Sequence, residues 1–158
     1  MRKVFFGLGV ATACLVVAAG IGLFFLARNG AALDADSKIY VKSAVVAIAD
    51  DWDAEALWQR SSPQFRAVTK EQDLRNFFDA ARESLGRMVA YGGASGQAAI
   101  MVSDKGRSVA ANYTVKATFE KGSADIQVGI VKAGSHWEIE GFHVDSSTLM
   151  RSLVGLRS

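Results

Sequence analysis

Three kinds of residue in this sequence have side chains suited to catalysis or metal binding: a run of carboxylates, two histidines and three tyrosines. The carboxylates lie together in the stretch Asp50-Asp51-Trp52-Asp53-Ala54-Glu55. Neighbouring carboxylates can act as general acid and base, or they can bind a cation. This run lacks the glycine turn and the further ligands of a calcium-binding loop, so we expect no metal site here.

The best catalytic candidates are Tyr113 and His143, which strand alternation places on the inward face of a predicted sheet. Tyr113 shares its parity with Val115 and Phe119, and His143 shares its parity with Trp137. A tyrosine beside a histidine could exchange protons with a substrate. The alternative is a core tyrosine with its hydroxyl at the rim and a histidine in solvent. Because no inward carboxylate is evident on the strands, we expect the protein not to be an enzyme, and the pair remains a weak candidate.

No cofactor or metal is predicted from the remaining motifs. The two histidines, His136 and His143, are an odd number of residues apart and would lie on opposite faces of one strand unless a bulge intervenes. The glycine-rich stretch at 92–96 lacks the lysine and the strand–loop–helix setting of a phosphate-binding loop. We interpret it as a flexible hairpin between two strands.

A first amphipathic helix is predicted by apolar residues at steps of four, three, four and four. The acidic residues between Asp50 and Glu55 lie mostly outside this apolar stripe, so they are predicted to form the solvated side of an ordinary helix. The stripe consists of Val41, Val45, Ile48, Trp52 and Ala56.

Two further helices follow. Ser62 and Pro63 have the order of an N-cap and a first helical residue, which predicts a short helix from Pro63 to Val68 with Phe65 pointing inward. The stretch Thr69-Lys70-Glu71-Gln72 has capping-box spacing, and Gly86 supplies a stop for the long helix that follows. The apolar positions of that helix are Leu74, Phe77, Phe78, Ala81 and Leu85.

After Gly86 the apolar period changes to two, which predicts antiparallel strands. The segments are 87–91, 97–103, 108–120, 124–130 and 136–144, and a terminal helix could follow from Ser147 with Leu149, Met150, Leu153 and Val154 on one side. Helices followed by a meander predict an α+β fold. We expect the helices to pack on a curved antiparallel sheet of four to five strands.

The front of the chain is an uncharged run over residues 4–27, long enough to cross a bilayer as a helix. Arg2 and Lys3 precede it, which predicts a cytoplasmic N-terminus and a single pass through a bacterial inner membrane, with the remainder in the periplasm. The alternative is a cleaved signal peptide and a secreted product. Cys14, the single cysteine, is interpreted as a small apolar residue of this helix. The predicted parts are an anchor at 1–27, a tether at 28–36, a domain at 37–146, and a tail or short helix at 147–158.

The charge balance limits the partners. The chain has 18 Lys and Arg against 16 Asp and Glu, and removing Arg2 and Lys3 leaves 16 against 16 for residues 28–158. A neutral domain without a basic stripe argues against nucleic acid as a partner. It also argues against electrostatic attraction to anionic lipid.

Several short motifs together resemble a known superfamily. They are Asp51-Trp52-Asp53-Ala54-Glu55-Ala56-Leu57-Trp58, Ser61-Ser62-Pro63-Gln64-Phe65-Arg66, Leu85-Gly86 and a final strand His136-Trp137-Glu138-Ile139-Glu140-Gly141-Phe142. With the order of helices before a meander, residues 38 to 145 resemble the cone-shaped (cystatin-like) fold of nuclear transport factor 2 and ketosteroid isomerase, and small exported bacterial domains of unknown function built on it. This superfamily includes isomerases, dehydratases and cyclases, and also interaction modules such as membrane-anchored assembly factors of secretion systems.

The expected function is therefore a membrane-anchored, extracytoplasmic interaction module, an accessory subunit of an envelope complex that binds another envelope protein or itself. The alternative is a cone that binds a small apolar ligand, with isomerase or lyase activity. The side chains expected to wall such a pocket are Phe77, Phe78, Tyr113, Val115, Phe119 and Trp137.

Overall fold

A computed structural model describes residues 31–104 and 106–155, which contain helices and a four-stranded antiparallel sheet. The predicted α+β class is confirmed. The elements in chain order are α1 (31–49), α2 (Ala54–Arg60), α3 (Pro63–Val68), α4 (Glu71–Leu85), β1 (Met88–Ser103), β2 (Gly106–Phe119), β3 (Gly122–Ala133), β4 (His136–Asp145) and α5 (Ser147–Gly155).

Helix α1 differs from its prediction at both ends. Residues 31–36, predicted as part of a tether, are already helical, because the polar side chains that suggested a loop are bound to the sheet, as described below. The predicted continuation through Trp52 to Ala56 is also wrong, since the helix ends at residue 49. Trp52 has a φ of 52°, and Asp53 starts α2 by accepting a hydrogen bond from the N–H of Ala56 at 3.1 Å.

Trp52 leaves the helical path because its indole is bound elsewhere. Its Nε1 donates to the carbonyl oxygen of Gly86 at 2.8 Å, and its ring stacks on Phe119 with centroids 5.0 Å apart. Phe78 meets the same indole edge-on at 5.8 Å. A bulky residue with positive φ is strained by about 1–3 kcal/mol, and these contacts over-determine the conformation.

The short and long helices follow the sequence closely. Ser62 caps α3 by accepting from the N–H of Phe65 at 3.2 Å, and Phe65 is buried as predicted. The predicted capping box is wrong: α4 begins after Lys70, which makes no side-chain cap bond. Gly86 ends α4 with a φ of 74°, as expected for a glycine stop.

The sheet is a meander in the order β1-β2-β3-β4. The predicted hairpin at residues 92–96 is wrong, because β1 is one strand that pairs with β2 over its length. A register shift between Tyr91 and Ala94 absorbs extra residues. Gly96 lies beyond this shift and must be a glycine, since its φ is 147° and a Cβ would lie 2.0 Å from the carbonyl oxygen of Asn112.

A second irregularity lies between β3 and β4. Gly129 pairs with Gly141, whereas the next residue along β3, Ile130, pairs with Ile139. One extra residue, Glu140, is therefore accommodated in β4. Because side chains alternate along a strand, this bulge reverses the face of every later residue relative to simple parity.

Helix α1 lies along β1 and runs antiparallel to it. At one end the carbonyl oxygen of Asp50 accepts from the N–H of Met88 at 3.2 Å. Near the middle the ammonium of Lys42 lies 5.9 Å from the ring centroid of Tyr91. At the other end the Asp34 carboxylate accepts from the backbone N–H of Ala98. The N-terminal end of α1 therefore lies beside the C-terminal half of β1, at the same end of the molecule.

The remaining predictions concern the ends of the chain. In α5 Leu149 is buried, whereas Met150 and Val154 are 57% and 65% exposed, so the predicted common face is wrong for these two. In residues 31–104 and 106–155, no helix combines the length and apolar character needed to cross a bilayer. The predicted anchor, residues 4–27, lies outside the described residues.

Candidate functional site

Tyr113, the first catalytic candidate, is buried and bonded to the first turns of α1. Its hydroxyl lies 2.7 Å from the Oγ of Ser37 and 2.7 Å from Oδ1 of Asp34. Burial is the main reason that the pKa of Tyr113 is raised from 10.0 to about 12. Tyr113 therefore stays protonated over the physiological range and acts as a hydrogen-bond donor.

Asp34 supplies the carboxylate that strand parity did not reveal. Its Oδ2 accepts from the Nζ of Lys38 at 2.7 Å. The bonds from Lys38 and then Tyr113 hold the pKa of Asp34 below its usual 3.8. A tyrosine beside an ionised carboxylate is an acid–base arrangement in principle. Here both groups bind neighbouring protein groups, so the arrangement fastens α1 to the sheet.

Asp36 makes a second attachment two residues further along α1. Its Oδ2 accepts from the indole Nε1 of Trp137 at 2.9 Å and lies 3.4 Å from the Nζ of Lys132. The bond from Trp137, followed by Lys132, lowers the pKa of Asp36. The start of α1 is thus bound to β2, β3 and β4 by side chains.

His143, the second catalytic candidate, lies on the opposite face of the sheet from the Tyr113 side chain. The predicted inward direction is wrong because the bulge at Gly141 reverses the parity of β4, so Phe142 turns toward the helices and His143 is exposed. The predicted Tyr113–His143 pair is therefore not formed. His136 lies on the same outer face and contacts Glu138 at 3.1 Å.

The predicted pocket residues lie in the hydrophobic core between sheet and helices. Phe77 is partly buried and packs against this core. The other five are between 0% and 6% exposed: Phe78, Tyr113, Val115, Phe119 and Trp137. A ligand placed among them would have to displace contacts that these side chains make with the core.

The outer face of the sheet, which points away from α1 and α4, carries a groove of about 380 Å³. We call it the outer-face groove. The side chains that line it are uncharged hydrogen-bonding groups and one histidine, and they come from all four strands: Ser95, Asn112, Thr114, Gln127 and His143.

Two glycines give this groove its depth. Gly129 and Gly141 face each other across β3 and β4, and neither has a positive φ. A Cβ on Gly141 would have its nearest neighbour at 3.9 Å, an ordinary contact, and a Cβ on Gly129 would meet the Asn112 side-chain oxygen at 3.2 Å. Glycine inside a strand commonly marks a bulge or the close approach of another molecule. The bulge accounts for the distorted pairing, and the missing side chains leave the space above it.

The acidic stretch lies in another cavity, of about 370 Å³, between the α1–α2 turn and α4. Arg82 contacts this turn: its Nε and Nη2 donate to the carbonyl oxygen of Asp51 at 3.0 and 2.8 Å. Arg87 pairs with Asp50 at 3.0 Å. The aspartates are thus solvated side chains, as predicted, but they lie on a turn bound by Arg82 and not on one continuous helix. Among residues 31–104 and 106–155, no three histidine, cysteine or acidic side chains form a metal-binding group.

Comparison with known proteins adds no assignment. No protein-family model, curated protein or solved structure matches this chain.

The structure also brings together residues that the sequence did not single out. Asp34 and Asp36 were assigned to a tether, although their spacing of two at a helix end, with Ser37 directly after Asp36, is compatible with docking. Asn112 and Gln127 lie in the predicted strands 108–120 and 124–130 but were given no role. The pairing of Gly129 with Gly141 could be found only by knowing the register between β3 and β4.

Proposed function

We propose that the protein is a membrane-anchored interaction module whose outer-face groove binds another protein of the cell envelope. The observation that carries the proposal is the groove itself, a recess across a sheet face that the described helices do not cover. Its lining offers hydrogen-bond donors and acceptors without a fixed charge. Such a surface suits a partner recognised by hydrogen bonds and shape rather than by charge.

The hydroxyl, amide and imidazole groups that line the groove define the chemistry of the partner. Asn112 and Gln127 carry amides that can each donate and accept, which matches exposed main-chain amides and uncharged polar side chains. Lys116 on this face pairs with Asp125, the two charged groups being 3.4 Å apart. We therefore propose an uncharged polar segment of an envelope protein as the occupant.

Site-specific crosslinking tests this proposal in the full chain. A photoreactive amino acid at Gln127, in the groove, is compared with one at Ala67, an exposed position on α3. We expect an adduct with one membrane-fraction protein from position 127 and none from position 67. Gly141→Leu should abolish the adduct, because the new side chain projects into the groove.

The matched control is Thr118→Leu, an exposed position of the same sheet face outside the groove. It should leave the adduct unchanged. Equal adducts from positions 67 and 127, adducts only between copies of the chain, or an adduct that survives Gly141→Leu would overturn the proposal.

The proposed setting is a single-pass protein of a bacterial inner membrane. Residues 4–27 would span the bilayer, Arg2 and Lys3 would stay in the cytoplasm, and the α+β body would lie in the periplasm. The order of four helices before a four-stranded meander supports the proposed likeness to the cone fold of nuclear transport factor 2. Fold likeness alone does not define an activity.

A second candidate function is binding of a small apolar ligand on the helix side of the sheet. The contact between Tyr113 and Asp34 favours it, since a tyrosine beside a carboxylate can move protons. The buried state of Val115 and Phe119 weighs against it. We therefore place this function second.

A further inference from the structure

The far end of the hairpin formed by β1 and β2 carries exposed apolar side chains. Met101 is 54% exposed and Val102 is 80% exposed. From Met88 to Ser103 the sequence of β1 contains no charged residue. We propose that this hairpin end contacts the lipid surface into which residues 4–27 insert. The inference rests on the membrane anchoring in the proposed function.

The direction of α1 supports this placement. Because α1 runs antiparallel to β1, its N-terminal end and the hairpin end lie at the same end of the molecule. Asp34 reaches Ala98 and Tyr113 there, and Asp36 reaches Trp137. The uncharged segment joins the body at this end.

Chain length limits the distance between body and segment. Residue 27 is four residues before residue 31, so the two lie within about 14 Å of each other in any conformation. From Ala98 to Ser103, β1 advances about 17 Å at the usual rise of a strand. The chain is therefore long enough for the end of the uncharged segment to reach the height of the hairpin end above the attachment of Asp34.

The exposure pattern favours lipid over a protein partner at this end. Met101 and Val102 are adjacent, so their side chains point to opposite faces of the strand. A protein docked on one face would cover one of them, whereas insertion among lipid headgroups would cover both. Arg107, exposed on β2, can extend its guanidinium toward headgroups while its stem lies along apolar surface.

The test uses the full chain in vesicles of phosphatidylethanolamine and phosphatidylglycerol. Cys14→Ala removes the single cysteine, and an environment-sensitive fluorophore is attached after Val102→Cys. The matched control is Val89→Cys, since Val89 is 66% exposed on the opposite end of the same strand. Interfacial groups lie about 5–10 Å into the headgroup boundary, where lipid-attached nitroxides should quench the label at 102 at least about twofold more than at 89.

An alkaline carbonate wash of the same vesicles separates the two hypotheses. If the chain is retained and the label at 102 is quenched no more than that at 89, the hairpin inference is wrong and anchoring stands. If the chain is washed off, anchoring is wrong, and the inference is overturned with it. Loss of the preferential quenching on Met101→Asp in the Val102→Cys chain would further support contact with lipid.

Discussion

Tyr113 illustrates how a residue with catalytic chemistry serves as an attachment point. Its hydroxyl is at hydrogen-bond distance from a fully buried serine and a carboxylate on α1. In the described residues, no buried polar side-chain atom lacks a hydrogen-bond partner. The hydroxyl is thus part of a closed set of bonds. Its raised pKa follows from burial and from the neighbouring Asp34 carboxylate, which disfavours a second negative charge.

Tyr113→Phe should lower the free energy of unfolding by about 1–2 kcal/mol at neutral pH, because it leaves Ser37 and Asp34 without one partner. The raised pKa also sets the direction in which stability changes at alkaline pH. The folded pKa is about 12 and the ordinary value is 10.0, so the stabilisation is complete below pH 10 and is lost as pH rises toward 12. Urea unfolding of the full chain in non-ionic detergent measures both effects.

The Tyr113→Phe variant should lack the part of the alkaline loss of stability that ionisation of Tyr113 causes. The control is Tyr91→Phe, at a half-buried ring on β1, which we expect to change neutral stability by less than about 0.5 kcal/mol. Equal effects of the two substitutions at neutral pH would contradict an attachment role for Tyr113.

At the scale of elements, periodicity predicted the long helix, the short helix and strands β2 to β4, because each has one buried and one solvated face. It failed where tertiary bonds override local pattern. Trp52 fits the stripe of α1, yet its bond to Gly86 ends that helix early. The glycines at 92–96 predict a turn, yet they lie inside β1, where Gly92 and Gly93 fall within a register shift. The predicted inward direction of His143 was wrong because the bulge at Gly141 shifts the alternation of side chains in β4. That bulge depends on the register between β4 and β3.

Substitution of two glycines in the sheet, Gly96 and Gly141, should change the stability of the fold in opposite directions. Gly96→Ala combines a positive φ with a Cβ 2.0 Å from a backbone oxygen, so we expect a loss of at least about 3 kcal/mol. Gly141→Ala has room for its Cβ, and alanine inside a strand is favoured by about 0.5–1 kcal/mol over glycine. Thermal unfolding of the two variants beside the unsubstituted chain tests this. A tolerated Gly96→Ala would show that the described register of β1 is wrong.

At the scale of the whole molecule, the N-terminal end of α1 is bound to the sheet by side chains. Residues 31–36 are helical, and Asp34 and Asp36 bind three strands between them. The first turns of α1 are therefore fixed to the sheet. This attachment could not be predicted from composition, because it depends on contacts between residues 76 to 101 positions apart in the sequence.

Retention of the front segment is the whole-molecule prediction. We expect the chain extracted from bacterial membranes to have the intact mass of all residues from Met1 to Ser158, because Leu26-Ala27-Arg28 is a poor cleavage site for a signal peptidase. Mass spectrometry of the membrane and soluble fractions measures this. A shortened chain in the soluble fraction would favour the secreted alternative.

The long separation of Asp36 from Trp137 also imposes an order on biogenesis. The aspartate leaves the ribosome 101 residues before the indole that it binds, which corresponds to about 5–20 s at ordinary bacterial rates of synthesis. During that interval the amphipathic stripe of α1 has no sheet to cover it. In a nascent chain that stripe therefore gains its complete cover only after β4 has emerged.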